Sequence, residues 1–132
     1  MSGETNLDTL LSSMQPHVLE QDYVFCTIPN TDLASCLNMN PIATFMEAEG
    51  LTLVLEQVMA DSHKLAYESV FSCITLTVHS SLDAVGLTAA VATKLAEHDI
   101  SANVIAAYYH DHIFIQKEKA EAAMQALKSF QA

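Results

Sequence analysis

The stretch from Cys73 to Lys128 constrains the fold most, because its apolar pattern changes period three times. Ile74, Leu76 and Val78 alternate with Thr75, Thr77 and His79, the period-2 signature of a half-buried strand. After a polar break at Ser80-Ser81-Leu82-Asp83, Leu87, Val91 and Leu95 recur at i, i+4 and i+8, one stripe of a helix that ends at His98-Asp99. Asn103 to Tyr109 and His112 to Gln116 are two apolar runs about His110-Asp111, which predicts a β-hairpin. Lys117 to Phe130 predicts a second helix with Ala120, Ala123, Met124, Leu127 and Phe130 inward. The order βαββα is a split βαβ arrangement that lacks only its last strand.

The first half shows a weaker version of the same order. Asn6 is placed to cap a helix carrying Leu7, Leu10, Leu11 and Met14, and Pro16 stops it. Asp22 to Ile28 is rich in strand formers and ends at Pro29-Asn30. Asp32 to Leu37 is long enough for one helical turn, and Asn38 to Pro41 is a loop. Ala43 to Ala48 and Leu51 to Leu55 flank Glu49-Gly50 as a second hairpin, followed by a helix over Glu56 to Ala66. Laying Glu49-Gly50 over His110-Asp111 puts Leu53-Val54 over Phe114-Ile115, an internal repeat.

Several segments resemble an ACT domain: Cys73 to Val78, the loop Ser80 to Gly86, the helix Leu87 to Ala96, and Ile100 to Ile105. Gly86-Leu87-Thr88-Ala89-Ala90 and Tyr109-His110-Asp111-His112 are the sharper parts. The likeness is to small stand-alone proteins with two ACT-like units and no catalytic domain. It implies an α+β fold of tandem or interleaved ferredoxin-like (βαββαβ) units with antiparallel sheets. A divergent unit over residues 1–66 precedes the better one over 67–132. In the interleaved variant an N-terminal strand completes the second unit's sheet, which would otherwise leave an unpaired edge. The resemblance also implies a non-catalytic regulatory domain that senses a small molecule, most often an amino acid, through oligomerisation. An interaction module of ACT fold without a ligand is the alternative.

Composition agrees with that class. Hydrophobic residues make up 51% of the 132, high for such a length, so a subunit interface is expected in a homodimer or higher oligomer. The net charge of −11, from 16 acidic and 5 basic residues, opposes nucleic acid and anionic membranes as partners. An amino acid, which carries an ammonium group, remains compatible. The start of the sequence lacks a signal-peptide pattern, and no apolar run reaches the ~20 residues of a membrane span. Cys26, Cys36 and Cys73 form no CxxC pair, which suits reduced thiols and a cytoplasmic location.

Two places carry candidate chemistry. The loop before the Leu87 helix ends at a helix N-terminus, whose free N–H groups suit a carboxylate. Asp83 is placed to receive an ammonium group, and Gly86 allows close backbone approach. The family resemblance makes Ser81, Leu82, Asp83, Ala84, Val85, Gly86 and Leu87, with Asn103, Val104 and Ile105 of the next strand, the effector pocket. The plainer explanation is that Ser80 or Asp83 caps the helix. The second place is His110-Asp111-His112. Two imidazoles and a carboxylate evoke zinc, but a turn breaks the geometry and no third arm is evident, so no metal and no cofactor is expected. A Cys73/His79 pair would stand ~20 Å apart along one strand, too far for a nucleophile and its base. No catalytic residue is expected.

Overall fold

The computed structural model describes residues 6–77 and 86–131. The last residues of the Cys73 strand, Val78 and His79, and the loop Ser80 to Val85 therefore lie outside the described residues. Tertiary contacts divide the chain into two compact units. One is Gln21–Phe71; the other joins the residues up to Glu20 to those from Ser72 onward.

The unit from Ser72 onward begins with the N-terminal residues. Asn6 caps helix α1 (Leu7–Ser13), its Oδ1 accepting from the Thr9 N–H at 3.0 Å. Strand β1 (Gln15–Ile28) follows at once. Its start at Gln15 corrects the expected start at Asp22. Residues up to Glu20 lie in this unit, where Thr77 Oγ1 donates to the Gln15 carbonyl at 2.8 Å. The unit continues with β4 (Phe71–Thr77, from Ser72), α3 (Leu87–Glu97), β5 (Asn103–Ala106), β6 (Asp111–Gln116) and α4 (Ala120–Lys128). Its strand order is β1-β4-β6-β5. The strand missing from the βαββα pattern is thus supplied by β1, which gives a ferredoxin-like antiparallel sheet. Ile74, Leu76, Ile113 and Ile115 face a core built with Leu10, Met14, Leu87, Val91, Leu95 and Leu127. The helical stripe Leu87, Val91, Leu95 supplies α3's part of that core. The chain leaves α3 through Asp99 at φ 60, with the Ile100 N–H returning to the Leu95 carbonyl at 3.0 Å.

The unit Gln21–Phe71 contains the later residues of β1, a 3-10 helix (Asn30–Met39), β2 (Ala43–Met46), β3 (Leu51–Glu56) and α2 (Gln57–Ser62). Its strand order is β2-β3-β1, with Cys26 opposite Leu53 and Val24 opposite Leu55. Val24, Cys26, Ile28, Cys36, Met39, Leu51, Leu53, Leu55 and Ala60 form its own core. Helix α2 is shorter than the expected Glu56 to Ala66. Lys64 takes a left-handed conformation, φ 57, and the Leu65 N–H closes onto the Ala60 carbonyl at 2.9 Å.

The internal repeat is present, one residue away from its expected alignment. Ala43 faces Val54 and Thr44 faces Leu53, as Asn103 faces Phe114 and Val104 faces Ile113. Leu53-Val54 therefore corresponds to Ile113-Phe114. The slip arises at the second hairpin's tip. The Ala107 N–H bonds the His110 carbonyl at 3.1 Å, so Tyr108-Tyr109 forms the turn and Asp111 opens β6. A shift of one residue matters because it exchanges the two faces of a strand.

Candidate functional site

Of the pocket residues, Gly86, Leu87, Asn103, Val104 and Ile105 are described; Ser81, Leu82, Asp83, Ala84 and Val85 are not. Gly86 is the N-cap of α3, with φ 98 and ψ −15. Its carbonyl accepts the first helical bond, from the Ala90 N–H at 2.8 Å. Only glycine holds such a φ without strain, and it brings no side-chain oxygen to the orphan N–H groups of the first turn. The cap position therefore provides no acceptor of its own. A Cβ at Gly86 would stand 3.2 Å from a Leu7 methyl, so α1 packs directly against this turn.

Leu87 and Val104 join one hydrophobic cluster, Leu87 nearly fully buried and Val104 packed against it. Their side chains belong to the core, and a ligand between them would meet backbone. Asn103 and Ile105, at alternate positions, turn to the other face of β5. Ile105 faces His112, and Asn103 Nδ2 donates to the Phe114 carbonyl at 3.1 Å. β5 is an edge strand. The Ala107–His110 bond fixes the phase of the ladder, so the N–H and C=O of Val104 point away from the sheet. The described part of the site thus offers a helix start whose cap residue brings no acceptor and a strand, β5, that has no strand neighbour on its outer side among the described residues.

The histidine string takes a different form from a turn. Asp111 and His112 lie within β6, and His112 Nδ1 is 3.0 Å from Thr75 Oγ1 of β4. Burial pushes the His112 pKa down, helped by His110 and opposed by Asp111. Burial pushes Asp111 up, against the pull of both histidines. His110 Nδ1 is buried with no hydrogen-bond partner. Among the described residues no three or more His, Cys, Asp or Glu come together as a metal site. The Thr75–His112 link was not anticipated. Its signal in the sequence is the alternation that turns Thr75 away from the Ile74/Leu76 core face, toward the face that His112 shares.

The thiols lack the surroundings of a nucleophile. Cys26, Cys36 and Cys73 are free and buried. Desolvation raises Cys73 to about 11, against a lowering by its hydrogen bond to Thr75. Cys26 is raised as well, by burial first and by Asp61 second. A thiol held protonated at neutral pH is a poor nucleophile. Among the described residues no helix is long and apolar enough to cross a membrane.

Comparison with known proteins agrees with this architecture. Two family models match, each described as an ACT domain, over residues 2–72 and 68–129. A comparison with curated proteins gives no significant match. Among solved structures, a Vibrio cholerae protein of unknown function, described as a possible transport protein, is 61% identical with a TM-score of 0.88, and the match covers 96% of each chain. The regulatory subunit of aspartate kinase from Thermus thermophilus, in its ligand-free form, is 10% identical with a TM-score of 0.65, over 86% of this chain and 94% of that one. Clostridium acetobutylicum aspartate kinase is 11% identical with a TM-score of 0.69, over 98% of this chain and 36% of that one. These two likenesses show a shared fold. With both units matched and the ferredoxin-like order present, the chain belongs to the ACT domain family.

Proposed function

We propose that the chain is a non-catalytic regulatory domain that binds a small effector, an amino acid, and acts through association with further copies of itself. The observation that carries this is the start of α3. A helix N-terminus with no side-chain acceptor at its cap begins at Leu87, in the hydrophobic cluster against which Val104 of edge strand β5 also packs. The effector's carboxylate is received by the N–H groups of Val85 to Leu87. Its ammonium is received by Asp83 or by carbonyls of Asn103 to Ile105. Ser81, Leu82 and Ala84 complete the loop around it. The fold shared with an aspartate kinase regulatory subunit supports a regulatory role. The buried, protonated Cys73 supports the absence of catalysis, and no cofactor or metal enters the reading. The division into repeats at 1–66 and 67–132 and a cytoplasmic location belong to the same proposal.

An interaction module that binds no effector has one observation in its favour. The Asn103 amide is already engaged by Phe114, and the Leu87 side chain is in the core. A thermal-shift screen with the common amino acids separates the two. A ligand at a hundredfold excess over its Kd stabilises the fold by about 2.7 kcal/mol, a readily measured rise in midpoint. No rise with any amino acid favours the ligand-free module.

A further inference from the structure

The ferredoxin-like order needs two helices, and α3 and α4 supply them, so α1 is an addition to this unit. Its apolar residues Leu7, Leu10, Leu11 and Met14 fall at i, i+3, i+4 and i+7, one stripe of a helix. Leu10 and Met14 are fully buried in the core that also holds Leu87, Val91 and Leu95. The Gln131 amide donates to the Met14 carbonyl, and α1 packs on both α3 and the 3-10 turn Ser129–Gln131. Burial and this hydrogen bond therefore fix α1 on its own unit.

Leu7, at the first turn of α1, is only half-buried. One side of it packs against the same core. Its two methyls stand 3.2 and 3.8 Å from where a Gly86 Cβ would lie. Gly86 thus meets two needs at once, a φ of 98 and room for Leu7. A carboxylate held by the N–H groups at the head of α3 lies about 3 Å from those nitrogens, with the Leu7 methyls beside it.

We propose that Leu7 is the apolar wall of the effector site and limits the size of the effector's side chain. The inference rests on the amino-acid reading above and adds to it a specificity-determining residue and a ligand class. The methyls of Leu7 offer neither a donor nor an acceptor. A charged or amide side chain laid against them loses water and gains no partner. An apolar side chain gains contact there until it outgrows the space. The class selected is an amino acid with an uncharged, apolar side chain. The net charge of −11 disfavours acidic side chains further.

A wall made by one side chain is read by changing its size. Calorimetric titration compares glycine, alanine, valine, leucine and phenylalanine on wild type, Leu7→Ala and Leu7→Met, with unfolding curves on all three proteins. Wild type should bind best a member shorter than phenylalanine. Leu7→Ala should move the preference toward longer members, changing the ratio of the leucine and alanine affinities by about tenfold or more. Leu7→Met, close to leucine in volume, should keep the wild-type order. Leu7→Val gives the same direction of change as Leu7→Ala where the larger truncation fails to fold. An affinity that falls in equal proportion for all five ligands, or an order that does not change, overturns the wall, as does a Leu7→Met that shifts as far as Leu7→Ala. Binding of other amino acids but none of these five overturns the wall and leaves the effector reading standing. No heat with any amino acid overturns both.

Discussion

The two units build the same hairpin and differ in how they enter their first helix. In Gln21–Phe71 the strand runs into the 3-10 helix through Pro29 alone, and Asn30 Nδ2 ties the junction to the Glu47 carbonyl at 2.8 Å. Asp32 departs from helical angles within that element, at φ −100 and ψ 20. In the other unit, the residues between Thr77 and Leu87 separate strand from helix, and a left-handed Gly86 starts a regular α-helix. The hairpin is held by registry and core burial, which tolerate little change. The connection from strand to helix is therefore where the two copies of the repeat differ.

The largest effects should come from the two cores. Leu95→Ala and Leu53→Ala each remove a fully buried side chain from a separate cluster. Each should cost about 2–5 kcal/mol in denaturant unfolding. A loss below 1 kcal/mol in either would mean that unit lacks the well-packed core assigned to it. Gly86→Ala comes next. It forces an L side chain to φ 98 against Leu7, and should cost about 1–2 kcal/mol. The matching change at the tight junction, Asn30→Ala, removes one exposed side-chain bond and should cost about 1 kcal/mol or less. Equal losses would show that the two junctions are not built differently.

The smallest effect is a pH dependence confined to the unit with β6. The folded His112 pKa lies below its ordinary 6.5, so the unfolded chain binds its proton first. His112 therefore favours the fold fully above pH 6.5, and that contribution is lost as pH falls through 6.5 toward the folded value. Asp111 acts with the opposite sign at lower pH. Its folded pKa is raised, so its contribution is present in acid and lost as pH rises through the folded value. The difference in stability between wild type and His112→Gln should thus change between pH 7.5 and 5.5 and level off above. A difference that is flat across this window contradicts the burial assigned to His112.

Much of the fold was legible because its signals are local. Asn6 caps α1, and Leu87, Val91 and Leu95 mark the buried face of α3 in the sequence as in the structure. The start of β1 was not, because Pro16, Glu20, Gln21 and Asp22 dilute a strand signal. Its pairing partner, moreover, lies beyond Phe71 in sequence. The hairpin tip was displaced by one residue because Tyr108-Tyr109, good strand formers, occupy the turn, while His110-Asp111 has turn chemistry and leads into β6. At the site, the glycine at the head of α3 was legible from its position before the apolar stripe. The commitment of the Asn103 amide to Phe114 was not, since it depends on the register across the hairpin.

The central claim, that the unit with α3 receives an amino acid at the helix start, is tested most directly by calorimetric titration. The amino acid giving the greatest thermal shift is titrated into wild type and into Asp83→Ala, with unfolding curves measured on both. Saturable binding to the wild type, weakened in Asp83→Ala by about 1–3 kcal/mol while stability changes little, is the predicted result. Unchanged affinity in Asp83→Ala, or no heat of binding to the wild type, would contradict it.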